Sequence, residues 1–157
     1  MTAAPLASSP DAPAVEPVGK ALAYITRVRE GRSELLVFRP QHQPDEPLQV
    51  PGGTIDPGET PEAAVLREVA EEAGLVSLTP HGLVGTALFP WEGVRYLRHF
   101  YHFTSAAELP DTWSHTVTAG EDDLGMVFLY RWLPLESAAA ALGWEMGKLL
   151  PSLTPTE

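Results

Sequence analysis

The chain has 157 residues, of which 44% are hydrophobic, and this is enough for one domain with a substantial core. It contains no cysteine, which excludes disulfides, zinc–thiolate sites and cysteine nucleophiles. A net charge of −11 disfavours nucleic acid and anionic membranes as partners, and no apolar run is long enough to span a bilayer, so we expect a soluble, cytoplasmic protein.

Two terminal segments differ in composition from the rest of the chain. Residues 1–18 are rich in alanine and proline, and residues 151–157 resemble a shorter segment of the same kind. Such segments bury too little apolar surface to offset the loss of chain entropy on folding. We therefore expect flexible tails on both sides of a single domain at residues 19–150.

The elements predicted within this domain follow the spacing of its apolar residues and the positions of glycine and proline. In chain order they are strands at 21–28, 34–38 and 48–50, a helix at 61–73, strands at 83–89, 95–103 and 126–132, and a helix at 135–142 or on to 150. A hairpin turn joins the first two strands, the sequence Pro51-Gly52-Gly53 ends the third, and residues 105–121 form a long polar connection. This order predicts a mixed α/β or α+β sandwich.

The helix at 61–73 has clear end signals. Thr60 is placed to cap its N-terminus, and Gly74 suits the left-handed residue that follows its last turn. A helical wheel places four apolar residues on one face, which we expect to be the core side. These are Leu66, Val69, Ala70 and Ala73.

Three carboxylates of this helix, Glu68, Glu71 and Glu72, project from its opposite edge. Like charges at this spacing, next to the negative end of the helix dipole, are locally unfavourable unless a divalent cation binds them. Clustered oxygen ligands suit Mg²⁺, Mn²⁺ or Ca²⁺. A backbone carbonyl near Gly52 and Gly53 would add a further ligand. The alternatives are a solvated acidic face and an ordinary glycine turn.

Residues 53–75 carry a longer pattern that includes these acids. The residues are Gly53, Glu59, Arg67-Glu68-Val69, Glu71-Glu72 and Gly74-Leu75, in the spacing G-x5-E-x7-R-E-U-x-E-E-x-G-U, where U is a bulky aliphatic residue. This matches the Nudix box at every defined position, so the chain resembles the Nudix (MutT-like) hydrolases. The resemblance implies a mixed β-sheet between α-helices and hydrolysis of a nucleoside diphosphate linked to another group X.

The resemblance also implies roles for individual residues of the box. Glu68, Glu71, Glu72 and the carbonyl of Gly52 resemble the family's ligands for Mg²⁺ or Mn²⁺. Arg67 and Glu59 resemble the pair that positions the glutamates. The implied reaction is attack on phosphorus by a metal-activated water, with Glu68, Glu72 and Arg67 in the catalytic set and Gly53 beside the substrate.

The general base and the substrate contacts lie partly outside the box. The base is either a glutamate of the box or an acid of a distant loop, where we favour Glu121 over Asp122 and Asp123. Arg39 is a candidate for binding a phosphate, and Arg95 and Arg98 are weaker ones. Trp91, Tyr96 and Tyr101 are either base-stacking residues or core residues.

The identity of X stays open after these assignments. Pro90 lies at an offset found in ADP-ribose pyrophosphatases, but it also suits a turn, so ADP-ribose, a nucleotide sugar and a nucleoside triphosphate all remain candidates. A homodimer is equally open. The main alternative function is a catalytically silent module that binds nucleotides or regulates a partner. An isoprenoid diphosphate isomerase is disfavoured because its familiar relatives use a cysteine.

Overall fold

The computed structural model describes residues 16–120 and 122–153, so most of both predicted tails lies outside the described residues. The described elements are β1 (Val18–Arg29), β2 (Arg32–Pro40), β3 (Gly52–Thr54), α1 (Pro61–Ala73), β4 (Leu78–Trp91), β5 (Val94–Ser105), β6 (Thr112–Thr116), β7 (Val127–Pro134) and α2 (Leu135–Ala141). A 3₁₀ turn at Leu150–Ser152 enters the segment predicted as the C-terminal tail. None of these helices is both long and apolar enough to cross a membrane.

The strands form one mixed sheet in the order β4-β5-β1-β2-β7-β6, with β3 attached to β1. The β1–β5 pair is parallel, and the other pairs are antiparallel. The predicted fold class is therefore confirmed as α+β. The β1–β2 hairpin was also predicted correctly, including its turn.

Strand β1 is buried on both sides because each face of the sheet is covered. Its residues Ala21 and Ile25 belong to the core cluster that includes Val65 and Val69 of α1. Its residue Tyr24 belongs to the second cluster, which includes Ala138 of α2. Burial on both faces explains why this strand is a continuous apolar run rather than an alternating one.

Strand β6 was missed, because the segment 105–121 was predicted to be a polar connection. The structure pairs β6 antiparallel with β7 at the end of the sheet. Trp113 and His115 are half-buried, whereas their neighbours in the strand are exposed. Alternation over five residues with only one large apolar side chain is a weak signal for a strand.

The strand predicted at 48–50 was wrong. Leu48 and Gln49 each form one isolated bridge, and continuous pairing with β1 begins only at Gly52. The glycine segment that was predicted to end a strand is thus itself β3. A Cβ atom on Gly52 would overlap the backbone carbonyl of Ala21, so only glycine allows the two strands this close approach.

Helix α1 has the predicted limits, and Val69 and Ala73 are buried as predicted, but the rest of its buried face differs. The Thr60 hydroxyl accepts a hydrogen bond from a backbone N–H of the first turn at 3.1 Å, and Gly74 has a φ of 74°. The expectation that Leu66 packs on the core was wrong, since it is 43% exposed. The inner stripe instead runs through Val65, Val69 and Glu72, and the wheel missed it because it counted Glu72 as part of the polar edge.

His102 gives the fold a pH dependence that can be measured. Its Nε2 lies 2.8 Å from the Thr26 hydroxyl, and its ring centroid lies 4.8 Å from that of His81. Burial, and next the charge of His81, lowers the pKa of His102 below its usual 6.5. Below pH 6.5 the unfolded chain therefore binds a proton at this site more readily than the folded chain does.

We expect His102 to lower the free energy of unfolding by up to about 1 kcal/mol as the pH falls from 7.5 to 5.5, with full stability above pH 6.5. The His102→Gln variant should lose this part of the dependence in urea unfolding at several pH values. His42→Gln, an exposed control, should keep it. Equal slopes for His102→Gln and the parent protein would contradict the assignment.

Candidate active site

A cavity of about 790 Å³ contains the carboxylates singled out in the sequence. It lies between the glycine strand β3, the last turns of α1 and the loop before β7. Glu68, Glu71 and Glu72 line it from α1, and Asp122 and Asp123 line it from the loop. The predicted cluster therefore faces one partly open cavity.

Glu72 is the most deeply buried of these acids, with 5% of its surface exposed. Its Oε1 accepts a hydrogen bond from the backbone N–H of Gly52 at 3.1 Å, and its carboxyl group also contacts that of Glu68. Burial raises the pKa of Glu72 well above its usual range, the Gly52 N–H opposes this, and the charges of Glu68 and Asp123 add to it. The two carboxylates therefore repel each other when both are ionised, and a cation between them would remove that repulsion.

Glu68 lies directly against Gly53. A Cβ atom on Gly53 would overlap the Glu68 carboxylate carbon, so the side chain reaches this position only over a glycine. Burial raises the pKa of Glu68, and the Arg67 guanidinium works in the opposite direction. The first glycine of the box thus determines where this carboxylate can lie.

Arg67 holds the neighbouring acids in place. Its Nε and Nη2 donate to the two carboxylate oxygens of Glu59 at 2.8 and 2.9 Å, and Nη2 also donates to the Thr54 carbonyl at 3.0 Å. Its Nη1 lies 2.9 Å from Glu68 Oε2 and 3.4 Å from Glu71 Oε1. Hydrogen bonding to Arg67 lowers the pKa of Glu59 to about 2. One side chain therefore joins the start of the box to its carboxylates.

The donor set fits a divalent ion that also binds substrate. No three acidic or histidine side chains of the described residues converge as a ready-made metal site, and Arg67 Nη1 contacts both Glu68 and Glu71. Mg²⁺, however, usually takes one or two protein carboxylates and completes its shell with water and phosphate oxygens. The buried Glu72 and the partly buried Glu68, in contact beside β3, offer such a partial set.

The last turn of α1 carries acids but no basic residue. Its carbonyl groups are not left unpaired, because three side chains from β6 and β7 act as donors to them. The bonds are His115 Nε2 to Glu71 O at 3.0 Å, Tyr130 Oη to Glu72 O at 2.9 Å, and Trp113 Nε1 to Ala73 O at 3.3 Å. The hairpin β6–β7 thus fixes the turn from which Glu71 and Glu72 project.

Two of the predicted residues outside the box are not placed in the cavity. Arg39 is absent from the described lining residues, and its Nη1 donates to the Pro44 carbonyl at 2.5 Å. Glu121 lies outside the described residues. Its neighbour Asp122 lines the cavity with Asp123, whose pKa is raised by burial and by the charge of Asp122.

Of the three aromatic residues predicted as base-stacking or core residues, two line the cavity and one belongs to the core. Trp91 and Tyr96 line the cavity, whereas Tyr101 packs against the core beneath α1. Sequence reasoning missed two further lining residues, Lys20 and Trp144. Lys20 gives no sequence signal beyond its charge, because only the pairing of β1 with β3 and β5 brings it here. The only sequence signal at Trp144 is an aromatic residue close to a glycine.

Comparison with known proteins agrees with this geometry. The NUDIX domain model matches residues 19–153. Diphosphoinositol polyphosphate phosphohydrolase 3-alpha of Mus musculus is 30% identical over 115 residues, covering 72% of this chain and 62% of that protein. The chain therefore spans less than two thirds of the length of that relative.

Solved structures show the same fold. An Ap4A hydrolase of C. elegans is 27% identical, with a TM-score of 0.64 over 87% of this chain and 96% of that chain. A MutT protein from Methanosarcina mazei Go1 is 20% identical, with a TM-score of 0.61 over 88% of this chain and 94% of that chain. At 20% identity, the similarity to the MutT protein concerns the fold alone.

Proposed function

Because this chain belongs to the NUDIX domain family, we propose that it hydrolyses a diphosphate linkage between a nucleoside and a second group, with Mg²⁺ or Mn²⁺ as cofactor. The observation that carries this proposal is the Glu68–Glu72 contact. The buried Glu72 and the partly buried Glu68 have raised pKa values and share one cavity wall beside Gly52. Such a contact is costly in a protein that never binds a cation, and it is useful in one that does.

The residues of the box have separate tasks in this proposal. Glu68, Glu71, Glu72 and the carbonyl of Gly52 would hold the divalent ion. When bound, the ion would neutralise the diphosphate and lower the pKa of the attacking water. Arg67 and Glu59 keep Glu68 in its position over Gly53, and Gly53 would lie beside the substrate.

A carboxylate of the loop before β7 accepts the proton from the attacking water. We favour Glu121, whose neighbours Gly120 and Asp122 both line the cavity. Asp123 is a described carboxylate of the cavity that could take this task instead, because burial raises its pKa and so strengthens its ionised form as a base. Arg39 stays a prediction for phosphate binding, which requires its guanidinium to leave the Pro44 carbonyl.

The names of the similar proteins define substrate classes to test. One is named for a diphosphoinositol polyphosphate and another for Ap4A. We add ADP-ribose, nucleotide sugars and nucleoside triphosphates from the sequence. A small substrate agrees with the size of the cavity. A cytoplasmic location and a homodimer stay predictions.

The proposal is tested by a substrate screen with product identification. The purified protein is incubated with each substrate class in Mg²⁺, in Mn²⁺ and with a chelator, and products are identified by mass spectrometry in ¹⁸O-labelled water. We expect cleavage of a nucleoside diphosphate linkage, one labelled oxygen in a phosphate product, and no turnover with the chelator. Nucleotide binding without any hydrolysis would instead indicate the catalytically silent module.

A further inference from the structure

One end of the cavity, beside β4 and β5, is lined by aromatic side chains, and we call it the aromatic end. Phe89 of β4 and Tyr96 of β5 are directly paired across the sheet, and both line the cavity. The Phe89 and Trp91 rings are nearly parallel, at 12°, with centroids 5.9 Å apart, and Trp91 is 46% exposed. Trp144 completes the group from the segment after α2. A large, partly exposed aromatic surface in a cavity is typical of a site for a flat ligand.

Trp144 reaches this site through a strained turn. Its φ is 53° and that of Glu145 is 59°, so two successive residues other than glycine adopt the left-handed conformation. A bulky residue rarely takes this conformation unless its surroundings impose it. Strain of this kind often accompanies a functional position, and here it fixes where an indole ring lines the cavity.

Two hydrogen bonds hold the turn against the sheet. Arg98 Nη1 donates to the Trp144 carbonyl at 2.5 Å, and its guanidinium lies 3.9 Å from the centre of the Phe89 ring. The Tyr24 hydroxyl donates to the Met146 carbonyl at 2.6 Å. Arg98 is almost fully buried and is therefore occupied with the turn and the ring rather than with solvent.

Lys20 lies between the aromatic end and the carboxylates. Its Nζ donates to the Thr54 hydroxyl at 2.8 Å and lies 5.4 Å from the centre of the Tyr96 ring. Its charge also acts on Glu68. A phosphate bound near the carboxylates would thus meet this ammonium group on the way to the aromatic rings.

The charges of the lining disfavour a second group that carries several phosphates. The described lining has three basic residues, of which Arg67 is paired with acids and Arg98 with a carbonyl. Six acidic residues face the same cavity. A diphosphate can bind here through a cation, but further phosphates on the second group would meet repulsion without partners.

We propose that Trp144, positioned by Arg98, is a specificity-determining residue of the cavity, whose indole stacks on the base of the substrate. This inference rests on the proposed function for the nucleoside and for the orientation of the substrate, whose diphosphate must lie at the carboxylates. It favours a substrate with a flat base over a polyphosphorylated cyclitol.

The test compares two ligands that differ only in the nucleoside. α,β-Methylene-ADP and methylenediphosphonate carry the same non-hydrolysable diphosphate, and their binding is measured by calorimetry in Mg²⁺. In the parent protein we expect the nucleoside to tighten binding. Trp144→Ala should weaken binding of the nucleotide about tenfold and leave methylenediphosphonate unchanged, because stacking contributes only with the base.

Two control variants and one variant of the positioning residue complete the test. Trp144→Phe keeps a flat ring at the same strained position and should bind the nucleotide within about threefold of the parent. Arg98→Met should reproduce the loss seen for Trp144→Ala, because it frees the turn. Leu88→Ala, at an exposed position on β4, should change neither ligand.

The outcomes separate this inference from the proposed function. Equal weakening of both ligands by Trp144→Ala, no gain from the nucleoside, or tighter binding of inositol hexakisphosphate than of the nucleotide would each overturn the inference. Selective loss of nucleotide binding would support it even if no substrate were hydrolysed, and that result would overturn the proposed function alone.

Discussion

Replacing Glu72 by glutamine is expected to lower kcat by two to three orders of magnitude while the protein stays folded. Glutamine keeps the length of the side chain and an oxygen that accepts the Gly52 N–H bond of 3.1 Å. It loses the negative charge that the divalent ion requires, and losses of about 10²–10³ in kcat follow removal of one essential electrostatic contact. The measurement is kcat at saturating Mg²⁺ on the best substrate of the screen.

The same change should have the opposite effect on stability. In metal-free buffer Glu72→Gln removes a buried acid in contact with Glu68, so its Tm should equal or exceed that of the parent. Millimolar Mg²⁺ should raise the parent Tm and leave that of the variant unchanged, because the ion stabilises only the state that binds it.

A matched control comes from the same helix. Glu62 is exposed in the first turn of α1, so Glu62→Gln should keep kcat and the response of Tm to Mg²⁺. Near-parental kcat for Glu72→Gln would show that Glu72 does not bind the metal. A large loss of Tm in metal-free buffer would show that its charge is a structural requirement.

Replacing Arg67 by methionine should reduce both stability and activity. The change leaves Glu59, Glu68 and Glu71 without the cation that all three contact. Its side chain is 29% exposed, so we expect a loss of about 2 kcal/mol in the free energy of unfolding, below the range for fully buried pairs. At this chain length that corresponds to a fall in Tm of about 4–8 °C.

Activity should fall because Glu68 loses one of its two constraints. Glu68 lies against Gly53, and a hydrogen bond of 2.9 Å from Arg67 Nη1 fixes its carboxylate there. Loss of such a supporting contact usually costs about 10–100-fold, which kcat/KM at several Mg²⁺ concentrations would measure. Arg67→Lys should retain more stability than activity, because a lysine cannot reproduce the paired bonds to Glu59.

Arg32→Met is the control for loss of a positive charge, since Arg32 is exposed at the start of β2. It should change neither Tm nor kcat/KM appreciably. If Arg67→Met behaved like Arg32→Met, the hydrogen bonds of Arg67 to Glu59 and Glu68 would contribute to neither stability nor activity. The role assigned to Arg67 in the box would then be wrong.

The sequence predicted those features that depend on residues close together in the chain, namely the ends of α1 and the position of the box carboxylates. Thr60 and Gly74 at the ends of α1 are dictated by backbone groups that need partners or a positive φ, so the helix limits could be read directly. The box carboxylates follow a spacing that brings them to one side of the helix. This part of the site depends on neighbours within a few residues in the chain.

The sequence was uninformative where long-range pairing decides the position. Lys20 enters the cavity because β1 pairs with β3 and β5, and Trp144 enters because Arg98, 46 residues earlier, binds its carbonyl. Leu66 was assigned to the core because Glu72 was taken for a solvent-facing acid. Burial of a charged group at a site is an exception that periodicity alone does not reveal.

Side chains of β6 and β7 donate hydrogen bonds to the last turn of α1, which carries two of the site carboxylates. The stability of this turn therefore depends on a short strand at the edge of the sheet. Strand β6 has five residues and lies at the end of the sheet, so it opens at lower free energy than the central strands do. Each opening withdraws His115 and Trp113 from the carbonyls of Glu71 and Ala73. We therefore expect protease cleavage and loss of metal binding on heating to begin with local opening of β6, before the whole protein unfolds.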